Sequence, residues 1–573
     1  MDALKFSNLR QRGRSLLPDL IFLTVLGLWG WWFFAPLEQV VNVELFDESG
    51  YLGIALRLPP TQWPPEYGPL YRLWYWLWSW VQSDPLRLYY LVYRITAILV
   101  PVVMYWALRR AEVRRAIAFW VAVLVLVSQG HTVVWPRVSV FAMLVFLFTL
   151  GWLWPKIKDA PWWAVLLFSA WVLWWTAFVR PETALPAIGL AVLSVVVGAW
   201  QRFPQRSRLH LVLGVTALVP LLLWGMPYQP DRLSLAFRQH FVVVRERMGD
   251  PIPDPWFNTQ AIKRYFSHTD TLWEMFRERP ELIKEHVVFN LYHLKANGNQ
   301  VMALPLPDWI KPFLQGWRRH VIALRILVLL PFLITLARLC CWKSNQKPTF
   351  PRPDMPMFKM ALPLLVITAA VGMGAVVIYP HLHYLYPLWI ALLGLEAVIV
   401  GREDEDASLS WIWANRAEIA VVVVLALAMW KDANVTSWIR MPKDPSQQVI
   451  RVAEFVRSLH LPEDRIIYTL GAEGQWEVYF GPQFVALDKV FRKQEAVSLS
   501  DFIQERDVGL VLLNQELTAH VCHHGEASMQ TCAALMAHPE DWGFRRFVIR
   551  LPQNREWYLF IRQDLLPPGD TGP

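Results

Sequence analysis

The sequence predicts a polytopic α-helical membrane protein of about eleven transmembrane helices, followed by a C-terminal soluble α/β domain. Of its 573 residues, 55% are hydrophobic, 33 are Trp, and mean hydropathy is positive, unlike ordinary soluble chains. Apolar runs long enough to cross about 30 Å of hydrocarbon recur as far as residue 430. Beyond that point the pattern changes to one amphipathic helical period and several short β-type runs.

Each span needs on the order of 20 residues. The runs fall near 18–36, 88–108, 116–134, 138–154, 162–179, 183–200, 209–227, 320–341, 358–379, 384–400 and 411–430. The first reads as an uncleaved span, because its apolar part is long enough to cross and no small-residue cleavage site follows it. The basic segments "NLRQRGRS", "RRAEVRR", "WPKIK", "QRFPQRSRL" and "CCWKSNQKPTFPRP" alternate with the spans so that all five share a side. Lys and Arg mark that side as cytoplasmic. One segment on it, "GREDEDASLSWIWANR", is acidic, and acidic residues weigh little in this rule.

With the amino terminus inside, residues 37–87, residues 228–319 and everything after about 431 face outside. The expected organisation is a transmembrane module over 1–430 with outside loops 37–87 and 228–319, and an extracytoplasmic α/β domain over 431–573. Its place is the cell (inner) membrane. In the first loop "GPLYRLWYWLWSWVQ" is too short and Trp-rich to span and belongs in the interface. The second loop reads as short helices between Pro breaks. The tail predicts a helix over "VIRVAEFVRSLHL", strands over "RIIYTLG" and "VGLVLLN", a helix over "SLSDFIQERD", and late strands over "FRRFVIRL" and "WYLFIRQ".

A formal charge of +8 is accounted for by the cytoplasmic segments and forms no basic face, so no nucleic-acid partner is expected. No phosphate loop of the ATP-binding kind occurs. "HVCHHGEASMQTC" carries Cys522 and Cys532 with three His, at a spacing that matches no standard zinc pattern. A local Cys522–Cys532 disulfide in an oxidising compartment is the expected reading, and a metal the other. No metal or cofactor is expected, with assistance by a divalent cation left open.

Chemistry gathers at the outside ends of spans. In "FDESGYLGIALRL", Tyr51, Ile54, Ala55 and Leu58 share one helical face, and Asp47, followed by Glu48, stands near the helix start. A carboxylate there caps a helix, and capping is compatible with a role as a base. Arg137 in "HTVVWPRVSV", Arg180 in "FVRPETALP", and His381, His383 and Tyr384 in "VIYPHLHYLYPL" are candidate phosphate contacts. Arg180 pairs with Glu182 at the same depth. Each Arg has an alternative as a snorkelling interfacial cation, and the His pair as part of an aromatic belt. Arg238, His240, Arg245, Arg247, Lys263 and Arg264 form a basic, aromatic-interleaved stretch that faces anionic lipid, acceptor or solvent.

An uncleaved first span, an outside loop opening Asp47-Glu48 with Tyr51 four residues after the Asp, a Pro-rich turn and a Trp-rich interfacial helix together resemble the C-type glycosyltransferase superfamily. Within it the chain is most similar to protein O-mannosyltransferases and lipid A aminoarabinose transferases. The resemblance covers roughly residues 10–430. It implies transfer of a sugar from a polyprenyl-phosphate carrier to a glycan, lipid or protein acceptor on the outer face, with Asp47 as catalytic base and Glu48 beside it. It makes Arg137, Arg180, His381, His383 and Tyr384 donor-phosphate contacts, and Tyr51, Tyr67 and Glu182 sugar or acceptor contacts. Where the mannosyltransferases carry a His-Pro-Pro-Leu segment, "WPPEYGPLYRLW" keeps Pro69 and Leu70 with Tyr67 and Gly68 ahead of them. The rival class is a secondary transporter or flippase of lipid-linked saccharides. Unlike halves, charges at outside ends and an outer soluble domain favour the enzyme.

Overall fold

A computed structural model describes residues 2–41, 43, 47–65, 68–133, 136–200, 208–227, 230–252, 259–268, 271–301, 355–400, 448–460, 466–470, 477–480, 484–486, 508–514, 533–551 and 555–566. Tyr67, Cys522, Cys532, the expected helix over "SLSDFIQERD" and the expected spans near 320–341 and 411–430 lie outside these residues. The helices used below are α1 (Asp2–Phe33), α2 (Asp47–Arg57), α3 (Pro69–Ser79), α4 (Pro85–Arg110), α5 (Arg115–Val127), α6 (Gln129–Val133), α7 (Val138–Ile157), α8 (Trp162–Ala177), α9 (Ala184–Trp200), α10 (Arg208–Trp224), α11 (Pro230–Arg247), α12 (Leu272–Glu278), α13 (Pro280–Val301), α14 (Met355–Val377), α15 (Leu382–Val400), α16 (Gln448–Ser458) and α17 (Glu477–Phe480).

Among the described residues six helices are long and apolar enough to cross a membrane: Leu17–Gln39, Pro85–Arg110, Val138–Ile157, Pro181–Trp200, Met357–Val377 and Leu382–Ile399. That number falls short of the expected eleven. Besides the two outside the described residues, three expected spans form as apolar helices that are too short: Arg115–Val127, Trp162–Ala177 and Val212–Trp224. Local backbone geometry ends each one. Ser128 is extended after α5. Arg180, which precedes Pro181, is extended soon after α8, as a residue before proline prefers. Gly225 follows α10 with φ +83°, a left-handed conformation that glycine adopts without steric cost.

The chain divides into two compact units. The first comprises Met1–Ala35, Pro60–Tyr71 and Tyr93–Ile439. In it α8 packs on α7 and α9, α14 on α15, and α15 on α5 and α7. Val192, Val195 and Val196 of α9 are 59%, 61% and 57% exposed, an apolar outward face of the kind lipid covers. Gly151 lets α7 approach α4: a Cβ there would lie 2.5 Å from Trp106 and 2.9 Å from the Ala107 methyl. At the end of the bundle, one Asp19 carboxylate oxygen takes hydrogen bonds from Tyr105 (2.7 Å), Arg109 (3.0 Å) and Arg115 (3.0 Å), tying α1, α4 and α5.

The segment after α10 builds a small helical layer with its own core, in which Phe237, Phe241, Ile262, Phe266, Met275 and Ile283 are buried together. A capping box between Thr271 and Glu274 starts α12. This layer packs through α13 on α14 and α15.

The second unit comprises Pro36–Pro59, Arg72–Val92 and Arg440–Pro573. The tail therefore shares a unit with most of the first loop. Its strands are β1 (Ile466–Leu470), β2 (Phe484–Ala486), β3 (Val508–Asn514), β4 (Phe544–Leu551) and β5 (Arg555–Arg562), in the order β2-β1-β3-β5-β4. The β1 strand pairs parallel with β2 and β3, and β5 antiparallel with β3 and β4. A continuous apolar run suits the central position of β3, where Val508, Leu510, Val511 and Leu512 are buried. The edge strand β4 carries Arg545, Arg546 and Arg550, and such charges discourage further pairing. The short strand β2 was not expected from the sequence.

Candidate functional site

In the second unit α2 begins at Asp47, as the amphipathic pattern requires, and Asp47 is exposed at that first position. Glu48 points inside. It is 0% exposed and accepts a hydrogen bond from the Tyr75 hydroxyl at 2.7 Å. Tyr51 and Ala55 are buried as expected, whereas Leu58 is exposed. Arg72 is also buried, with its guanidinium 5.8 Å from the centre of the Tyr51 ring. The Trp-rich α3 thus carries polar groups on its inward side. Arg72 and Tyr75, absent from the sequence-based candidates, were signalled by a cation inside an otherwise apolar run. Three further contacts strengthen the unit: α17 packs on α2, and Arg457 donates to the Tyr479 carbonyl at 2.9 Å and pairs with Asp84 at 2.6 Å.

The first unit brings the other candidates together. The extended Arg180-Pro181 step and the first turn of α15 meet: the Arg180 guanidinium lies 4.8 Å from the centre of the Tyr384 ring. Arg180 also pairs with Glu182 and donates to the Ser139 hydroxyl at 3.1 Å. From Tyr384 the aromatic row continues to His383 (4.2 Å between ring centres), His381 (5.2 Å) and then Tyr379 (4.5 Å). His240 of α11 stacks on Tyr379 at 5.9 Å and meets His381 at 5.0 Å. Seven residues on, Arg247 lies over the Tyr379 ring and donates to its hydroxyl. The row therefore runs between two arginines.

These arginines differ in compensation. Glu182 already offsets Arg180. The neighbour Arg245 is held by Asp250 (2.7 Å) and Glu285 (2.9 Å), whereas Arg247 pairs with no carboxylate among the described residues. Burial, then the charge of Arg247, lowers the His381 pKa to about 4. Burial, then His381, His286 and Arg247, lowers His240 to about 3. Both imidazoles are neutral at pH 7 and act there as hydrogen-bonding groups without charge.

Arg137 lies in the same unit, two residues before the Ser139 that Arg180 contacts. It is 1% exposed, so its charge is buried among protein groups. It donates to the His131 carbonyl at 2.7 Å and lies 3.9 Å from the Tyr93 ring centre. The His131 imidazole, 0% exposed, donates from Nε2 to the Ala97 carbonyl and accepts from the Tyr386 hydroxyl at Nδ1, both at 2.7 Å. The pairing of His131 with Tyr386, 255 residues apart, leaves no mark in the sequence. No three His, Cys, Asp or Glu residues among those described are grouped to hold a metal ion. No protein-family model and no curated protein matches this chain.

Proposed function

We propose that the chain is an integral-membrane glycosyltransferase that moves a sugar from a polyprenyl-phosphate carrier to a glycan, lipid or protein hydroxyl on the extracytoplasmic side. In this reading the amino terminus is cytoplasmic and the tail extracytoplasmic. The reading includes membership of the C-type glycosyltransferases. The observation that carries it is the contact of Arg180 with Tyr384 and the continuous row from there to Arg247. Such a row offers a leaving phosphate a charged fork, a second cation without a carboxylate partner among the described residues, and neutral imidazole donors.

In the reaction, a carboxylate takes the proton of the acceptor hydroxyl while its oxygen forms a bond to the anomeric carbon. The bond from that carbon to the phosphate oxygen breaks, and the polyprenyl phosphate leaves with the electron pair. Asp47 is the candidate base because it is the exposed member of the pair; buried Glu48 holds α2 through Tyr75. Mass spectrometry of lipid co-purified with the full chain tests the reading. A polyprenyl-phosphate sugar retained by the native protein and lost from Arg180→Ala supports it. Repeated absence of any phosphorylated lipid, with no transfer from a supplied polyprenyl-phosphate sugar, removes it.

A further inference from the structure

The turn that carries Tyr379 and His381, and leads into His383 at the start of α15, follows the end of α14, where the last carbonyls of a helix lack intrahelical partners. Here those carbonyls are taken by side chains of a different element. His286 of α13 donates from Nε2 to the carbonyls of Val377 (3.0 Å) and Ile378 (2.9 Å). Asn290, one turn on, donates to Val376 (2.8 Å) and Ile378 (3.2 Å). Asn297 donates to Pro380 at 2.7 Å, immediately before His381. His286 and Asn290 are 1% and 0% exposed, so water does not compete for these carbonyls. The imidazole of His286 is itself fixed, edge-on to Phe237 (5.2 Å) and stacked on Phe241 (5.5 Å) in the core of the small helical layer.

We propose that His286, Asn290 and Asn297 are positioning residues, which set the backbone of residues 376–380 and through it the placement of Tyr379, His381 and His383. The small helical layer thereby governs the geometry of the row without touching a ligand at these positions. The functional half of this inference rests on the proposed glycosyl transfer; the geometric half does not. Two features make the clamp specific. Its donors lie at positions 286, 290 and 297, one face of α13, and span about 16 Å of helix axis, so a shift of α13 moves all of them together. Its acceptors are backbone carbonyls, so the side chains of Val376, Val377 and Ile378 can change without loss of the bonds.

The full chain in lipid nanodiscs tests this in two independent ways. Imidazole labelling at His381 and His383 by diethyl pyrocarbonate, with hydrogen exchange across 376–385, reads the geometry. KM and kcat for a supplied polyprenyl-phosphate sugar read the consequence. Asn290→Leu and His286→Leu are expected to speed labelling and exchange at least 10-fold and to raise KM more than they lower kcat. Asn297→Ala, which removes one exposed-side bond, should do the same more weakly. His286→Gln, which keeps an N–H donor near Nε2, should restore labelling to near the wild-type rate, an outcome that mere filling of the core by His286 does not predict. If Asn297→Ala and both Leu variants fold and label like the wild type, the inference is overturned. If labelling changes as stated and the wild-type chain transfers no sugar, the positioning role stands and the proposed function falls.

Discussion

Asp47 and Glu48 are adjacent in sequence and opposite in environment, and that contrast separates their chemistry. Asp47→Asn keeps the size and capping ability of the side chain and removes its basicity. Transfer activity is expected to fall by about 10²–10⁴-fold with expression intact. Retained activity in this variant would make Asp47 a cap and nothing more. Tyr75→Phe removes a donor from a buried carboxylate and is expected to lower stability by about 1.5–3 kcal/mol, read from the thermal midpoint in detergent. Arg180→Lys keeps the charge beside Glu182 and loses the planar fork, so donor affinity should recover only in part relative to Arg180→Ala. If Lys and Ala both leave donor binding unchanged, Arg180 serves only its contacts to Glu182, Ser139 and Tyr384.

At the scale of elements, the helices that deviate from expectation do so at their ends, where short-range geometry overrules an apolar run. The expected span near 116–134 runs through Ser128, Gln129, His131 and Thr132, and Ser128 is extended there, ending α5 before α6 begins. Close packing supplies the other element-level constraint. Gly151 is the point at which α7 meets Trp106 and Ala107 of α4, and Gly151→Leu should cost about 1–3 kcal/mol, because a backbone-bound methyl cannot move aside for the added atoms. The same substitution at Gly189, where nothing lies within 4 Å of an added Cβ, should be silent in the same thermal assay. A comparable loss at both sites would show that helix flexibility, not the α4–α7 approach, sets the effect. The strand periods of the tail translated directly into β1, β3, β4 and β5. The three-residue β2 did not, since it is too short to carry an alternating pattern and exists by pairing with β1.

For the molecule as a whole, three imidazoles in one region set an acid limit. His240, His286 and His381 are lowered by burial from 6.5 to about 3, 4 and 4. Between about pH 6.5 and 4 the unfolded chain takes up protons at these positions that the folded chain does not, so stability falls as pH falls through that window. Thermal midpoints at steps from pH 7.5 to 4.5 should drop, and His381→Gln should flatten part of the drop; an unchanged profile in that variant would assign the loss to other groups. Helices suited to a membrane and a mixed α/β tail were legible in sequence alone, and Asp47, Arg180, His381 and His383 stood out there as candidates by their chemistry. Span length and β period are local properties, and polar residues at the ends of apolar runs stand out without any partner. Only the tertiary structure decided that Glu48 faces inward, that Arg137 is buried beside His131 and Tyr93, and that Arg247 closes the row begun by Arg180. It also decided that three side chains of α13 hold the turn before His381. Each of these depends on which distant segment a side chain meets, and long-range packing leaves no periodic mark in the chain that obeys it.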